Sequence, residues 1–327
     1  MFTRIETVTF DYFASVMGIT GLGLVWRSAA MAYPLPVWPA EVILLSGLVL
    51  FLILILTQLL RVFFCHSCVV QEWRSRAGRN FFCAATISGF LLAMALLPYS
   101  FMAAKLLWIA SLCAQLIFLV STFRRWLIDE LEAHEISPVW LIPMVGNASP
   151  AFTGGVLGFY ALSKMMLFSA ILCWTIFMPL IIWRIVFITP QTTKKAMPGL
   201  AIMISAPAVI AVALDCLYGT MTELAQFMAW TALFFGIVLV SLWRRMLPGA
   251  FGRGWWGFTF PSTALASALI RVDVAIKDPL NHMIAISALW LATGVVCAVA
   301  YLTCQHVIRP AVDIADTKSG PDRPSRS

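Results

Sequence analysis

Ten runs of about 20 predominantly apolar residues follow one another along the chain with only short polar gaps, and that repetition nearly fixes the architecture. They fall at 10–32, 39–62, 80–97, 101–123, 138–160, 165–188, 197–217, 222–243, 254–272 and 281–306. In hydrocarbon the backbone must satisfy its own polar groups, so runs of this length read as transmembrane helices. The expected protein is therefore all-α, with ten spans in residues 10–308, a cytoplasmic N-terminus in 1–9 and a polar, disordered tail in 309–327. Composition agrees: 61% of the chain is hydrophobic and 11% charged, against about 45–50% and 25% for soluble domains. The first run is too long and too Gly-rich for a signal-peptide core and lacks a convincing cleavage site, so it counts as a helix.

Orientation follows from Lys and Arg, which concentrate on the cytoplasmic side of membrane proteins. Of the 22 in the chain, only Arg27, Lys105, Lys164, Arg271 and Lys277 fall on the second side of a ten-span arrangement. Both termini are accordingly expected in the cytoplasm, with the chain in a bacterial inner (plasma) membrane. The net charge of +7 is then an orientation signal, and no basic motif adds a nucleic-acid partner. Six cysteines lie singly in apolar runs, where they act as small hydrophobes. CHSC at 65–68 is the one motif that suggests a metal, but a structural zinc site wants four ligands and the sequence offers no second pair. Cytoplasmic placement argues against a disulfide there.

The runs alternate in kind. Even-numbered ones are uniformly greasy, as in VILLSGLVLFLILILTQLL (42–60). Odd-numbered ones carry Gly, Pro, Ser, Thr and Asn within the span: SVMGITGLGL (15–24), AATISGFLLA (84–93), PMVGNASPAFTGGVLG (143–158), AIMISAPAVIA (201–211) and GFTFPSTALAS (257–267). Small residues let helices approach closely, and Pro-freed carbonyls are tolerated where protein or water satisfies them. Five inner helices wrapped by five outer ones are predicted. Helical spacing gives each inner helix a small-residue stripe: Gly18 and Gly21 on the first; Ala84 and Ser88 on the third; Pro143, Asn147, Ala151 and Gly154 on the fifth; Ser205 and Ala208 on the seventh; Ala264 and Ser267 on the ninth. Phe258 and Phe260 lie about 200° apart, and Phe260 shares the small-residue face with Ala264, Ser267 and Arg271. Such stripes line a narrow axial void that Phe260 plugs, or they serve helix packing alone. Both readings stand at this point. Pro261, beside the ring, is the expected hinge.

At these residues the chain resembles the slow-type anion channel, tellurite-resistance (TehA-like) and malic-acid transporter family. The resemblance rests on FASVMGITGLGLVW (13–26), WLIPMVGNASPA (140–151), ISAPA (204–208) and WWGFTFPSTALAS (255–267). It implies a homotrimer of independent pores, lined by the odd helices and occluded by the ninth-helix Phe, here Phe260. Ile19 and Thr20 depart from the Thr-Gly order of the first-helix motif, so identical selectivity is not implied. The long, kinase-regulated ends of plant relatives have no counterpart in this sequence, and control by phosphorylation is not expected.

No Gly-rich phosphate loop, GxSxG or HExxH occurs, so neither an enzyme nor a cofactor is expected. DELEAHE (129–135) reads as a solvated loop. Intramembrane charges are functional suspects; Asp215 is the clearest, and Arg271 stands about 16 Å beyond Phe260 on the same face, placed to draw anions to a pore mouth. Three functions remain in order: a passive channel or uniporter for small inorganic or organic anions; a proton- or ion-coupled transporter of C4-dicarboxylates, sulfite or related oxyanions; and a membrane-anchor subunit of a redox complex.

Overall fold

The computed structural model describes residues 6–75, 78–188, 197–246 and 251–318. Among them are helices and turns and no strand. In chain order the α-helices are α1 (Phe13–Ala32), α2 (Trp38–Phe64), α3 (His66–Arg74), α4 (Gly78–Leu96), α5 (Phe101–Ile128), α6 (Leu141–Ala148), α7 (Tyr160–Trp183), α8 (Ile202–Tyr218), α9 (Glu223–Ser241), α10 (Trp243–Met246), α11 (Thr259–Ile276) and α12 (Pro279–Lys318). The expected tail overlaps the end of α12, and residues 319–327 lie outside the described residues.

Nine helices among the described residues are long and apolar enough to cross a membrane. They alternate as the sequence predicts. The windows in α1, α4, α8 and the helix over Arg253–Ile276 are 67–83% buried inside the protein, whereas those in α2, α5, α7, α9 and α12 are 28–33% buried. Packing explains the alternation: α1, α4, α6, α8 and α11 each touch the next, and α11 closes back onto α1. Outside this ring, α2, α5, α7, α9 and α12 each lie against the inner helix that precedes them in the chain. The repeated unit is one inner–outer hairpin.

The expected fifth span is not a continuous helix. α6 runs for eight residues and gives way to a 3-10 turn over Ser149–Phe152 and then to turns. Pro143 and Pro150 lack the N–H that an uninterrupted helix uses, and Gly154, Gly155 and Gly158 follow; Gly158 adopts φ +90°, which a residue with a Cβ resists. The segment nevertheless tracks α5 in the antiparallel direction. Trp140 stacks on Trp126, Gln115 donates to Pro143 O and Asn147 Oδ1 at 3.1 Å, and Trp108 Nε1 donates to Pro150 O at 3.0 Å. From Trp126 to Trp108 is about 27 Å along a helix axis.

Lipid offers no partner for a broken backbone, so protein supplies it. Ser163 Oγ also donates to Pro150 O, and Gln115, fully buried, accepts from Thr86 Oγ1 at 2.5 Å while its amide holds the broken segment. Gln115→Leu leaves Pro143 O and Asn147 Oδ1 without that donor. A loss of about 1–3 kcal/mol is expected, read as lower thermal stability in detergent; an unchanged melting temperature would show that the network contributes nothing.

CHSC requires a correction: the structure joins Cys65 and Cys68 in a disulfide. Cys65 is the hinge between α2 and α3, and Cys68 lies one turn on, with a Cα–Cα distance of 5.4 Å, within bridging range. Sulfurs bonded to each other are not thiolate ligands, and among the described residues no group of three or more His, Cys, Asp or Glu stands close enough to hold a metal ion.

Candidate functional site

All five inner elements converge on Phe260. The ring is 6% exposed and forms a wall of two axial cavities. One, of about 60 Å³, lies toward the end where α1 begins; every inner element lines it, through residues such as Ala14, Ala84, Ile142, Ser205 and Pro261. The other, of about 30 Å³, lies toward the end where α1 finishes, and again every inner element contributes, through Gly21, Leu91, Phe152, Val209, Ala264 and others. Phe260 is common to both linings, and neither contains an ionisable side chain.

Local sequence places the ring there. The stretch Arg253–Phe258 is a 3-10 helix, and α11 starts at Thr259. Pro261 therefore falls in the first turn of α11, where no intrahelical partner awaits its missing N–H. The change from 3-10 to α-helix falls at the junction before Pro261. Across from the ring, α1 comes unusually near: a Cβ on Gly18 would stand 2.1 Å from Thr259 Oγ1, and one on Gly21 would stand 2.5 Å from Thr263 Oγ1 and 3.6 Å from Phe260 Cδ2. The ring faces Gly21 at a distance that leaves room for a methyl group in ordinary van der Waals contact.

Ion pairs stand at both ends of the bundle. Where α1 begins, Arg61 Nη2 pairs with Glu72 at 2.9 Å, Glu72 also accepts from Phe10 N, and Arg253 lies 3.9 Å from Asp11. Where α1 finishes, Arg27 makes a two-pronged contact with Glu41 (2.9 and 2.7 Å), and Arg271 pairs with Asp215 across α11 and α8. Tyr33 donates to Asp273 Oδ2 at 2.6 Å, and His282 Nδ1 lies 2.9 Å from the same oxygen. Burial first, and then Asp273, push the Tyr33 phenol above its ordinary pKa.

Two cavities without ionisable lining, each walled by all five inner elements and sharing Phe260, thus occupy the centre of the bundle, and sequence comparison supplies the family. The SLAC1 family model, described as voltage-dependent anion channel, matches residues 7–304. The chain belongs to the SLAC1 family. Among SLAC1-family relatives in Arabidopsis thaliana, S-type anion channel SLAH3 is 24% identical over 96% of this chain and 51% of its own length. S-type anion channel SLAH2 is 24% identical over 80% and 50%, and guard cell S-type anion channel SLAC1 is 23% identical over 81% and 49%. The chain spans about half the length of these curated relatives. SLAC1 membership and the apolar helices make this an integral, multi-pass membrane protein of a channel family.

Against this SLAC1-type frame, the residues singled out in the sequence divide into two groups. Phe260, Pro261, Gly21, Ala84, Ser205, Ala264 and Ser267 line one or other cavity. Gly18, Ser88, Pro143, Asn147, Ala151, Gly154, Ala208 and Arg271 line neither. Gly18 sits at the α1–α11 seam, Ser88 donates to Ala84 O, and Asn147 bridges Gln115 and Ser169. Gly154 is pressed against Ser163 and Trp108. Arg271 is held by Asp215. The walls that pattern reading overlooks are larger: Met17, Ile87, Leu91, Phe152 and Val209. On α4, the positions Ala84, Ile87, Leu91 and Met94 recur at helical spacing, which is the signal that was available.

Proposed function

We propose that the chain is a passive anion channel or uniporter whose path is the axis enclosed by α1, α4, the broken segment, α8 and α11, closed at Phe260. The observation that carries this reading is the pair of five-walled cavities meeting at one ring. The broken segment, running beside α5, acts as the tenth crossing. An uncharged lining avoids holding an anion too tightly, since conduction needs weak binding. α11 begins one residue before Phe260, so the positive end of its dipole lies beside the constriction and favours anions there. Arg271, paired with Asp215, adds little net charge to the mouth. The SLAC1-family relatives are named for anion conduction, and the substrates proposed here are small inorganic or organic anions. The proposal extends to a homotrimer in a bacterial inner membrane with both termini cytoplasmic, supported by the Lys and Arg distribution and by the family resemblance.

Asp215 separates passive from proton-coupled transport. In the structure it is an ion-pair partner of Arg271 across α8 and α11. Reconstituted protein should pass anions down their own gradient with the membrane potential clamped and no pH difference, and Asp215→Asn should retain that flux. Flux that follows an imposed proton gradient and disappears in Asp215→Asn would replace the channel by a coupled transporter.

A further inference from the structure

A polar pocket lies away from the axis, where α4 begins and α5 ends. It has a volume of about 180 Å³, many times the roughly 10–15 Å³ that one water needs on the same measure. Arg79, Asn80, Thr122 and Arg125 line it together with Asp129 and Glu135. Arg79 is 7% exposed. Its Nε donates to Trp73 O at 2.9 Å, its Nη1 reaches Ser121 O at 3.4 Å, and its guanidinium lies 4.6 Å from the Trp73 ring centre. Both hydrogen-bond partners are neutral carbonyls. Among the described residues, no carboxylate stands within ion-pair distance of Arg79, whereas buried charges are normally paired.

Thr122 supplies a second, independent sign. It is 1% exposed, and its hydroxyl, in the wall of the same pocket, meets no protein partner. Buried hydroxyls are ordinarily hydrogen-bonded. A buried guanidinium that hydrogen-bonds only to carbonyls, with Asp129 near enough for its charge to act but making no direct ion pair, and a hydroxyl without a protein partner, set around one space, suit a ligand that is anionic and rich in acceptor oxygens. Arg recognises phosphate in this way. The acids limit the ligand's charge: Asp129 is paired with Arg125 at 3.0 Å, and the Glu135 carboxylate stands in the same wall, so a singly charged group fits better than a polyanion.

We propose that this pocket binds a phosphate group of low charge, supplied either by a phospholipid headgroup or by free phosphate. The site is distinct from the axial cavities, with which it shares no residue, and it does not depend on the channel reading.

The test uses the full chain and the variant Thr122→Val. Valine keeps the shape and removes a hydroxyl that has no protein partner, so the unliganded variant should melt at the same temperature as the wild type or above it. Arg79→Lys serves as a second variant, because a lysine keeps the charge and loses the fork. For free phosphate, delipidated protein in detergent is titrated with inorganic phosphate against potassium chloride of equal ionic strength. Phosphate should raise the wild-type melting temperature, and Thr122→Val should need roughly tenfold more for the same rise. For lipid, protein from vesicles of phosphatidylethanolamine and phosphatidylglycerol is examined by native mass spectrometry. A phospholipid retained by the wild type and lost from both variants identifies the headgroup as the source. If phosphate does not stabilise the wild type and no phospholipid is retained, or if either effect persists unchanged in both variants, the proposal is overturned.

Discussion

Phe260→Ala is expected to raise anion conductance by at least about tenfold, which corresponds to lowering the permeation barrier by about 1.4 kcal/mol. The ring stands in the wall of both axial cavities, of about 60 and 30 Å³, and in the proposed channel alanine would leave them continuous. An apolar constriction blocks ions by excluding water, so widening it admits solvent as well as ion. The folding cost should fall toward or below the lower end of the roughly 3–5 kcal/mol typical of Phe→Ala in close-packed cores, because space already flanks the ring on both sides. Phe260→Leu, with a side chain still large enough to fill the gap, should remain nearly closed. Phe258→Ala is the matched control: Phe258 precedes α11 and lines neither cavity. Currents or liposome flux would be compared at equal protein amount and orientation. Equal conductance in wild type and Phe260→Ala would remove Phe260 as the gate, and an equal rise in Phe258→Ala would show general loosening of the bundle.

Alternation of inner and outer helices is legible because lipid and protein ask different things of a helix. α2 needs only to be greasy, and it is. α8 is nearly as apolar, with a mean hydropathy of 2.3 against 2.8 for α2, yet 83% of its window is buried against 28%. Hydropathy alone would have placed both outside. The small residues of ISAPA give α8 away, since they permit neighbours on every side. Phe260 is legible for a related reason: a large ring on an otherwise small face has few places to go. The remaining wall is less legible because small residues serve two purposes. Gly18 and Ser88 mark seams where helices touch, while the neighbouring positions Met17 and Ile87 turn to the axis. A stripe identifies the inward half of a helix but not which edge of it meets the void. The break in the fifth segment is announced by Pro143, Pro150 and the glycines after them; its partner Gln115 is not, because one polar residue in a greasy outer helix carries no record of the carbonyl it serves. Likewise the charges of Asp215 and Arg271 show in the sequence, but their pairing depends on α8 and α11 being neighbours.

The seam between α1 and α11 carries the largest stability effect expected. Gly18→Ala adds a methyl group whose carbon would lie 2.1 Å from Thr259 Oγ1 and 2.6 Å from Thr259 Cβ. Neither atom is the far end of a flexible chain. Thr259 is fully buried, its hydroxyl donates to Trp256 O at 2.8 Å, and it opens the helix that positions Phe260. Relief therefore requires the two helices to move apart, and overpacking of this kind costs about 1–3 kcal/mol or more. Because association in lipid depends on close van der Waals contact, the separation also weakens packing along the neighbouring seam at Gly21 and Thr263. Gly21→Ala offers the cleaner cycle: its new carbon would meet Thr263 Oγ1 at 2.5 Å but Thr263 Cβ at 3.3 Å, so adding Thr263→Ala should recover most of the loss. Thermal unfolding in detergent measures both. Recovery in the double variant beyond the sum of the single effects identifies steric contact as the cause; strict additivity would mean that the glycines act through backbone freedom instead. A shift of Phe260 accompanies the separation if the seam sets the ring's position, so Gly18→Ala should also raise residual anion leak in the fraction that remains folded. Leak equal to wild type in that fraction would show that the ring is held by α11 alone.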